Sequence, residues 1–226
     1  MSELVDPHDR PLLRRDAERN RVRILDAARR LIAERGLEVG YDEIAREADV
    51  GVGTVYRRFP TRGQLIDELF HDRVDAVVAV AEEAARVEDP WQGLCQFMCQ
   101  DFEMQSADRG LREFLLGRVA EPELRQSARE RIAPIVDELV ERAHAAGSLR
   151  PDVGHSDLQM ILAMVGGLID ASRNVDPDLW RRYLAMILDG IQRGGPRDEL
   201  PGRPPEQADL KRILAAWVVA PGRRDG

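Results

Sequence analysis

From Arg14 to Arg193 apolar side chains recur at three- and four-residue intervals, and no stretch alternates one by one over the length of a strand. That period belongs to the α-helix, where residues i, i+3, i+4 and i+7 share a face. The spacing predicts an all-α chain of about nine helices. Breakers set their limits. A first helix over 14–35, with Ile24, Leu25, Ala28, Leu31 and Ile32 inward, stops at Gly36. Short helices over 41–48 and 52–59 follow, and Pro60 ends the second because its ring cannot continue the hydrogen-bond ladder. Thr61 is expected to cap a long helix reaching residue 87, and Pro90 to occupy the first position of the next. Further helices are expected over 108–119, 121–146, 155–173 and 177–193. Residues 1–13 read as a flexible arm. Residues 194–226 read as a Pro/Gly-rich tail whose amphipathic piece at 208–220 (Leu210, Ile213, Leu214, Trp217, Val218) either docks on the body or hangs loose.

Composition narrows the function classes. At 43% hydrophobic residues the 226-residue chain can bury a proper core. It has no apolar run approaching the roughly 20 residues of a membrane span and no apolar stretch of a signal peptide at its start, so a cytoplasmic protein is expected. Its two cysteines, Cys95 and Cys99, make no disulfide framework, the four histidines are scattered, and neither a zinc spacing nor a phosphate-binding glycine loop occurs. No catalytic constellation, metal or cofactor is therefore expected. The net charge is −8, yet up to Arg62 the chain carries 13 arginines against 12 acids, so the acidity lies beyond that point. Arginines cluster at 10, 14, 15, 19, 21 and 23 and again at 57, 58 and 62. A locally basic head on an acidic body fits a polyanion partner. From charge alone, arginines that merely solvate helix faces explain it equally well.

The segment from Gly40 to Arg62, GYDEIAREADVGVGTVYRRFPTR, is more specific. It reads as a helix of eight residues, a tight turn and a second helix of eight. Ile44, Ala45, Ala48, Val50, Val55 and Phe59 are spaced to pack the two across each other, and Asp49 stands where the turn needs a left-handed residue. The second helix leaves Thr54, Tyr56, Arg57 and Arg58 outward, and a helix of that diameter fits the major groove of DNA. The pattern Ile44-Ala45, Ala48, Val50, Gly53-Thr54, Tyr56, Phe59 resembles the signature of the TetR/AcrR family of transcriptional regulators over roughly residues 19–75. The phrases DPWQGL, AAGSLRPDV and WRRYLAMILDG resemble that family's SbtR-like subgroup.

The resemblance implies a helix-turn-helix head over 14–62, with its motif at 40–59, and a ligand-binding and dimerisation body over 63–193. It implies that Tyr56 bonds a phosphate, that Thr54 lies at the groove, that Arg57 and Arg58 meet bases or phosphates, and that Arg62 meets a phosphate at the start of the fourth helix. Tyr41 is counted with these contacts, and Val52, where the family usually has a polar residue, is placed against a thymine methyl. Gly40 and Gly51 depart from the usual pattern and bring no side chain to the interface.

For the body, Trp91, Cys95, Met98 and Phe102 fall on one stripe and, with Phe114 and Met164, are the candidate walls of an effector pocket; ordinary core packing is the simpler account of them. By resemblance, Leu158, Ile161, Leu162, Val165, Ile169, Leu184, Ile187, Leu188 and Ile191 pair with their copies across a two-fold axis, and the Gly166-Gly167 pair admits the partner subunit. The implied function is a homodimeric repressor, released from a palindromic operator by a small apolar or amphipathic ligand. A ligand-independent DNA-binding regulator or activator stays open. An all-helical enzyme with a vestigial head is the least supported reading.

Overall fold

The computed structural model describes residues 9–116, 122–194 and 206–209, with side chains described at 18–116, 126–194 and 206–209. Nine helices run in order: α1 (Asp9–Arg35), α2 (Tyr41–Glu47), α3 (Val52–Arg58), α4 (Arg62–Ala85), α5 (Pro90–Ala107), α6 (Arg109–Leu115), α7 (Pro122–Ala145), α8 (His155–Ser172) and α9 (Leu179–Ile191). A helical turn at 207–209 adds to them. Among the described residues there is no strand, only an isolated bridge between Leu149 and Gln192. The chain is all-α, as its periodicity predicts. Helix α1 starts at Asp9, within the stretch expected to be a flexible arm; residues 1–8 and the apolar positions of the 208–220 piece lie outside the described residues.

The stops act as expected. Gly36 and Gly147 end α1 and α7 in the left-handed region, at φ 86° and 67°. Thr61 caps α4 by accepting from the Gln64 N–H at 3.3 Å, and Asp89 caps α5 by accepting from Trp91 and Gln92 at 2.9 and 3.0 Å. Each cap satisfies donors that a helix start leaves without an intrahelical partner.

Two cores form, and they do not divide at residue 62. The head core gathers α1, α2 and α3, but also Leu65, Ile66, Leu69, Phe70, Val74 and Val77 of α4 and Leu111 and Phe114 of α6. The body core joins the rest of α4 to α5, α7, α8 and α9. Helix α4 thus spans both. Short α6 closes on the head: a Cβ on Gly110 would lie 2.3 Å from Ile32, so only glycine permits this approach to α1. Gly166 has a similar role within the subunit. It faces the side chains of Leu116 and Arg112, so the close approach expected there from a partner is made by α6 of the same chain.

Candidate nucleic-acid interface

The turn between α2 and α3 is built from sequence-local bonds. The Val50 N–H reaches the Ala45 carbonyl at 3.0 Å and the Asp49 N–H the Arg46 carbonyl at 3.2 Å, the paired bonds of a helix terminated by a left-handed residue. That residue is Asp49, at φ 50°. Arg23 of α1 holds it, Nη2 donating to the Asp49 carboxylate at 2.9 Å and to its backbone carbonyl at 3.1 Å. In place of a side-chain cap at Gly40, the Glu43 carboxylate reaches back to the Gly40 N–H at 3.0 Å.

Helix α3 is anchored along one side by Val55 and Phe59, both buried, and presents the other. Val52 and Tyr56 stand 44% and 57% exposed, large values for apolar and aromatic side chains. Arg57 and Arg58 are exposed and Thr54 is half-buried. Arg57 donates to the Thr54 hydroxyl at 3.3 Å. Arg58 lies 3.7 Å from Glu18, an exposed pair of little strength that a phosphate can outcompete. Both arginines also line a cleft of about 870 Å³ between α1, the end of α3 and α4, with Arg21, Arg29, Gln64 and His71 on its walls and Asp67, Glu68 and Asp72 opposing the charge. The sequence reading missed this cleft, since it joins residues some 50 positions apart. Of the clustered arginines on α1 whose side chains are described, Arg21 pairs with Glu68 and Arg23 with Asp49; further along the helix Arg29 pairs with Asp26.

Two of the expected DNA contacts are reassigned. Tyr41 is buried, with its hydroxyl 3.0 Å from the carbonyl oxygens of both Phe59 and Thr61. Burial holds its phenol above the ordinary range, so it serves as a neutral donor that pins the end of α3 to the start of α4. Its ring meets Tyr56 edge-on at 4.8 Å, so it props the exposed tyrosine from beneath. The Arg62 guanidinium is committed inward as well, donating to the carbonyls of Val39 (2.8 Å) and Leu37. Both side chains position the head's framework and are spent on backbone oxygens.

The body candidates do not converge. Trp91, Cys95, Met98 and Phe102 line the body core, but Phe114 stacks on Phe70 at 4.9 Å in the head core, and Met164 is 44% exposed on the outer face of α8. Burial pushes the Cys95 thiol up to about 11, with Cys99 beside it, so both groups keep their protons and neither is primed for oxidation. Of the expected dimer stripe, Leu158, Ile161, Val165, Ile169, Leu184 and Leu188 are buried in their own subunit's core, while Leu162, Ile187 and Ile191 pack against it and stay partly exposed. The outward apolar residues of α8 and α9 are instead Met164, Tyr183 and Met186. A buried polar set, Asp101, Gln105, Arg112 and Glu113, also went unread in the sequence. Its signal was present: Asp101 and Gln105 follow Leu94 and Met98 at helical spacing on the inward stripe of α5.

Comparison with known proteins agrees with this architecture. Residues 24–69 match the family described as bacterial regulatory proteins, tetR family, and residues 89–193 match the C-terminal domain described as transcriptional regulator SbtR-like. An HTH-type transcriptional regulator of Staphylococcus aureus is 41% identical over 54 residues, covering 24% of this chain and 29% of that relative's length. The TetR transcription regulatory protein from Mycobacterium vanbaalenii is 34% identical, covering 80% of this chain and 99% of that one with a TM-score of 0.50. A TetR transcriptional regulator from Streptomyces coelicolor is 31% identical, covering 76% and 98% with a TM-score of 0.52. The three-helix head with its protruding α3, the helical body, and matches that run through both make this chain a DNA-binding transcriptional regulator of the TetR family, not an enzyme, with an SbtR-like C-terminal domain.

Proposed function

We propose that the protein is a cytoplasmic, homodimeric repressor that binds a palindromic operator through α3 and leaves it when a small molecule occupies the body. The observation that carries this reading is the outward side of α3, where Val52, Tyr56, Arg57 and Arg58 stand exposed on a helix fixed from behind by Val55 and Phe59. A helix so mounted enters a major groove, with arginines suited to guanine edges or phosphates and Val52 to a thymine methyl. Thr54 and Tyr56 contact the groove and its phosphate edge. The effector half of the reading is supported by α4, which runs through both cores and so moves head and body together. A ligand acts by binding one head spacing better than another, and only to the extent that its affinities differ.

The test is a gel-shift titration on the chain's own upstream DNA over a range of salt. Specific binding should weaken steeply as salt rises. Arg57→Ala and Arg58→Ala should each reduce affinity by about tenfold or more. Affinity unchanged in both variants overturns the assignment of α3 as the reading element.

A further inference from the structure

The inward stripe of α5 carries Leu94, Phe97, Met98 and Phe102, and it is interrupted by two polar side chains, Asp101 and Gln105, which are 3% and 2% exposed. They bond each other, Gln105 Nε2 donating to Asp101 Oδ2 at 2.6 Å. Among the described residues this is the hydrogen bond the Asp101 carboxyl makes, and no cation pairs with it. Arg112, the buried arginine of the same region, is committed elsewhere through its terminal nitrogens, Nη1 donating to the Gln105 carbonyl at 2.5 Å and Nη2 pairing with Asp170, while its Nε has no partner. The Gln105 side-chain oxygen has no partner, nor has the indole nitrogen of Trp180, whose ring lies 5.8 Å from that of Phe102 next to Asp101.

A carboxylate removed from water without a counter-charge is held at a high energetic cost, and an unpaired buried amide oxygen adds to it. One group relieves both: a hydrogen-bond donor that carries positive charge. An anion would be repelled by Asp101 and would find the Arg112 guanidinium already neutralised by Asp170. The Phe102 and Trp180 rings supply apolar walls and π-faces of the kind that attract organic cations, and the Arg181 guanidinium already lies over the Trp180 ring at 4.5 Å.

We propose that Asp101 and Gln105 form the recognition pair for a small organic cation, an ammonium or amidinium group on an apolar frame, bound within the body. The proposal rests on the reading of the body as effector-sensing and names the chemistry of that effector. Occupancy is transmitted through α6. The Gln105 carbonyl is bonded to Arg112, and the adjacent Glu113 accepts from the Leu37 N–H at 2.7 Å, just past the end of α1.

Matched probes on the full chain test it: 4-butylbenzamidine against 4-butylbenzamide and 4-butylbenzoate, and 4-phenylbutylamine against 4-phenylbutanol and 4-phenylbutyrate. Binding is measured by titration calorimetry and thermal shift, and operator release by gel shift. In each set the cation should bind about tenfold more tightly than its neutral partner, and Asp101→Asn should bring the two within about twofold. A neutral or anionic probe that matches the cation, no binding by either cation, or a preference surviving in D101N overturns the inference. The wild-type comparison needs no variant to fold. Upstream DNA bound by wild-type protein with no cation preference defeats this inference and leaves the regulator reading standing. Failure to bind that DNA at low salt defeats the regulator reading whatever the probes do.

Discussion

A carboxyl buried without a counter-charge prefers its proton, and burial pushes Asp101 up to about 7 while the bond from Gln105 pulls the other way. In the unfolded chain the same group titrates near 3.8. Between those values the native state binds the proton more tightly, so stability falls as pH rises and the loss is complete above about 7. Asparagine has nearly the same shape and no charge. Urea unfolding of wild type and Asp101→Asn at pH 5 and pH 8 should show the variant's relative stability growing by roughly 2 kcal/mol at the higher pH. Equal differences at both values would show that Asp101 reaches a compensating partner in solution. At this scale the sequence is legible where backbone conformation selects the residue. Asp49 reads as a left-handed turn residue and adopts φ 50°. It is illegible where one donor type serves two acceptors. Tyrosine and arginine bind phosphates, but Tyr41 and Arg62 bind carbonyl oxygens, and only the folded neighbourhood distinguishes these uses.

Helix α6 packs against both α1 and α5 along its seven residues. Gly110, Leu111, Arg112, Glu113 and Phe114 are all buried, so no single stripe shows which neighbour it covers. That is why periodicity locates the helix but not its place against the head. The long helices have one-sided stripes and fall within a few residues of their expected limits. The tie between α6 and α1 has a direct test. A Cβ on Gly36 would lie 2.4 Å from the Glu113 carboxylate, at a backbone φ of 86°. A Cβ on Gly147, at φ 67°, meets nothing nearer than an Arg193 nitrogen at 3.7 Å. Gly147→Ala therefore reports left-handed strain alone, about 1 kcal/mol, whereas Gly36→Ala adds displacement of Glu113 and should cost about 2 kcal/mol or more. Denaturant midpoints measure both. Equal losses would show that Glu113 yields freely and that α6 holds the head only by apolar packing.

For the whole molecule, the proposed dimer poses the question of which surface would join two copies so that two heads meet one duplex. An apolar stripe in sequence does not say whether it completes its own core or a partner's, since burial against either removes the same water. The stripe of Leu158, Ile161, Val165, Ile169, Leu184 and Leu188 is used internally. Helix α9 turns Trp180, Leu184 and Leu188 into that core and leaves Tyr183 and Met186 outside, the latter 57% exposed, and Met164 of the neighbouring α8 is exposed as well. Exposed apolar groups grouped on two adjacent helices are the mark of an association surface. A charge placed among them is desolvated only if two copies close over it, so the change acts on assembly and spares the fold. Met186→Glu should sediment as a monomer with an unfolding midpoint close to that expected for the isolated subunit, and should lose the tight operator complex because each head then binds alone. Leu188→Ala, on the inner side of the same helix, should cost about 2–5 kcal/mol in stability instead. If Met186→Glu remains dimeric at micromolar concentration, the subunits join through another face, and the outer side of α8 and α9 is free for a different partner.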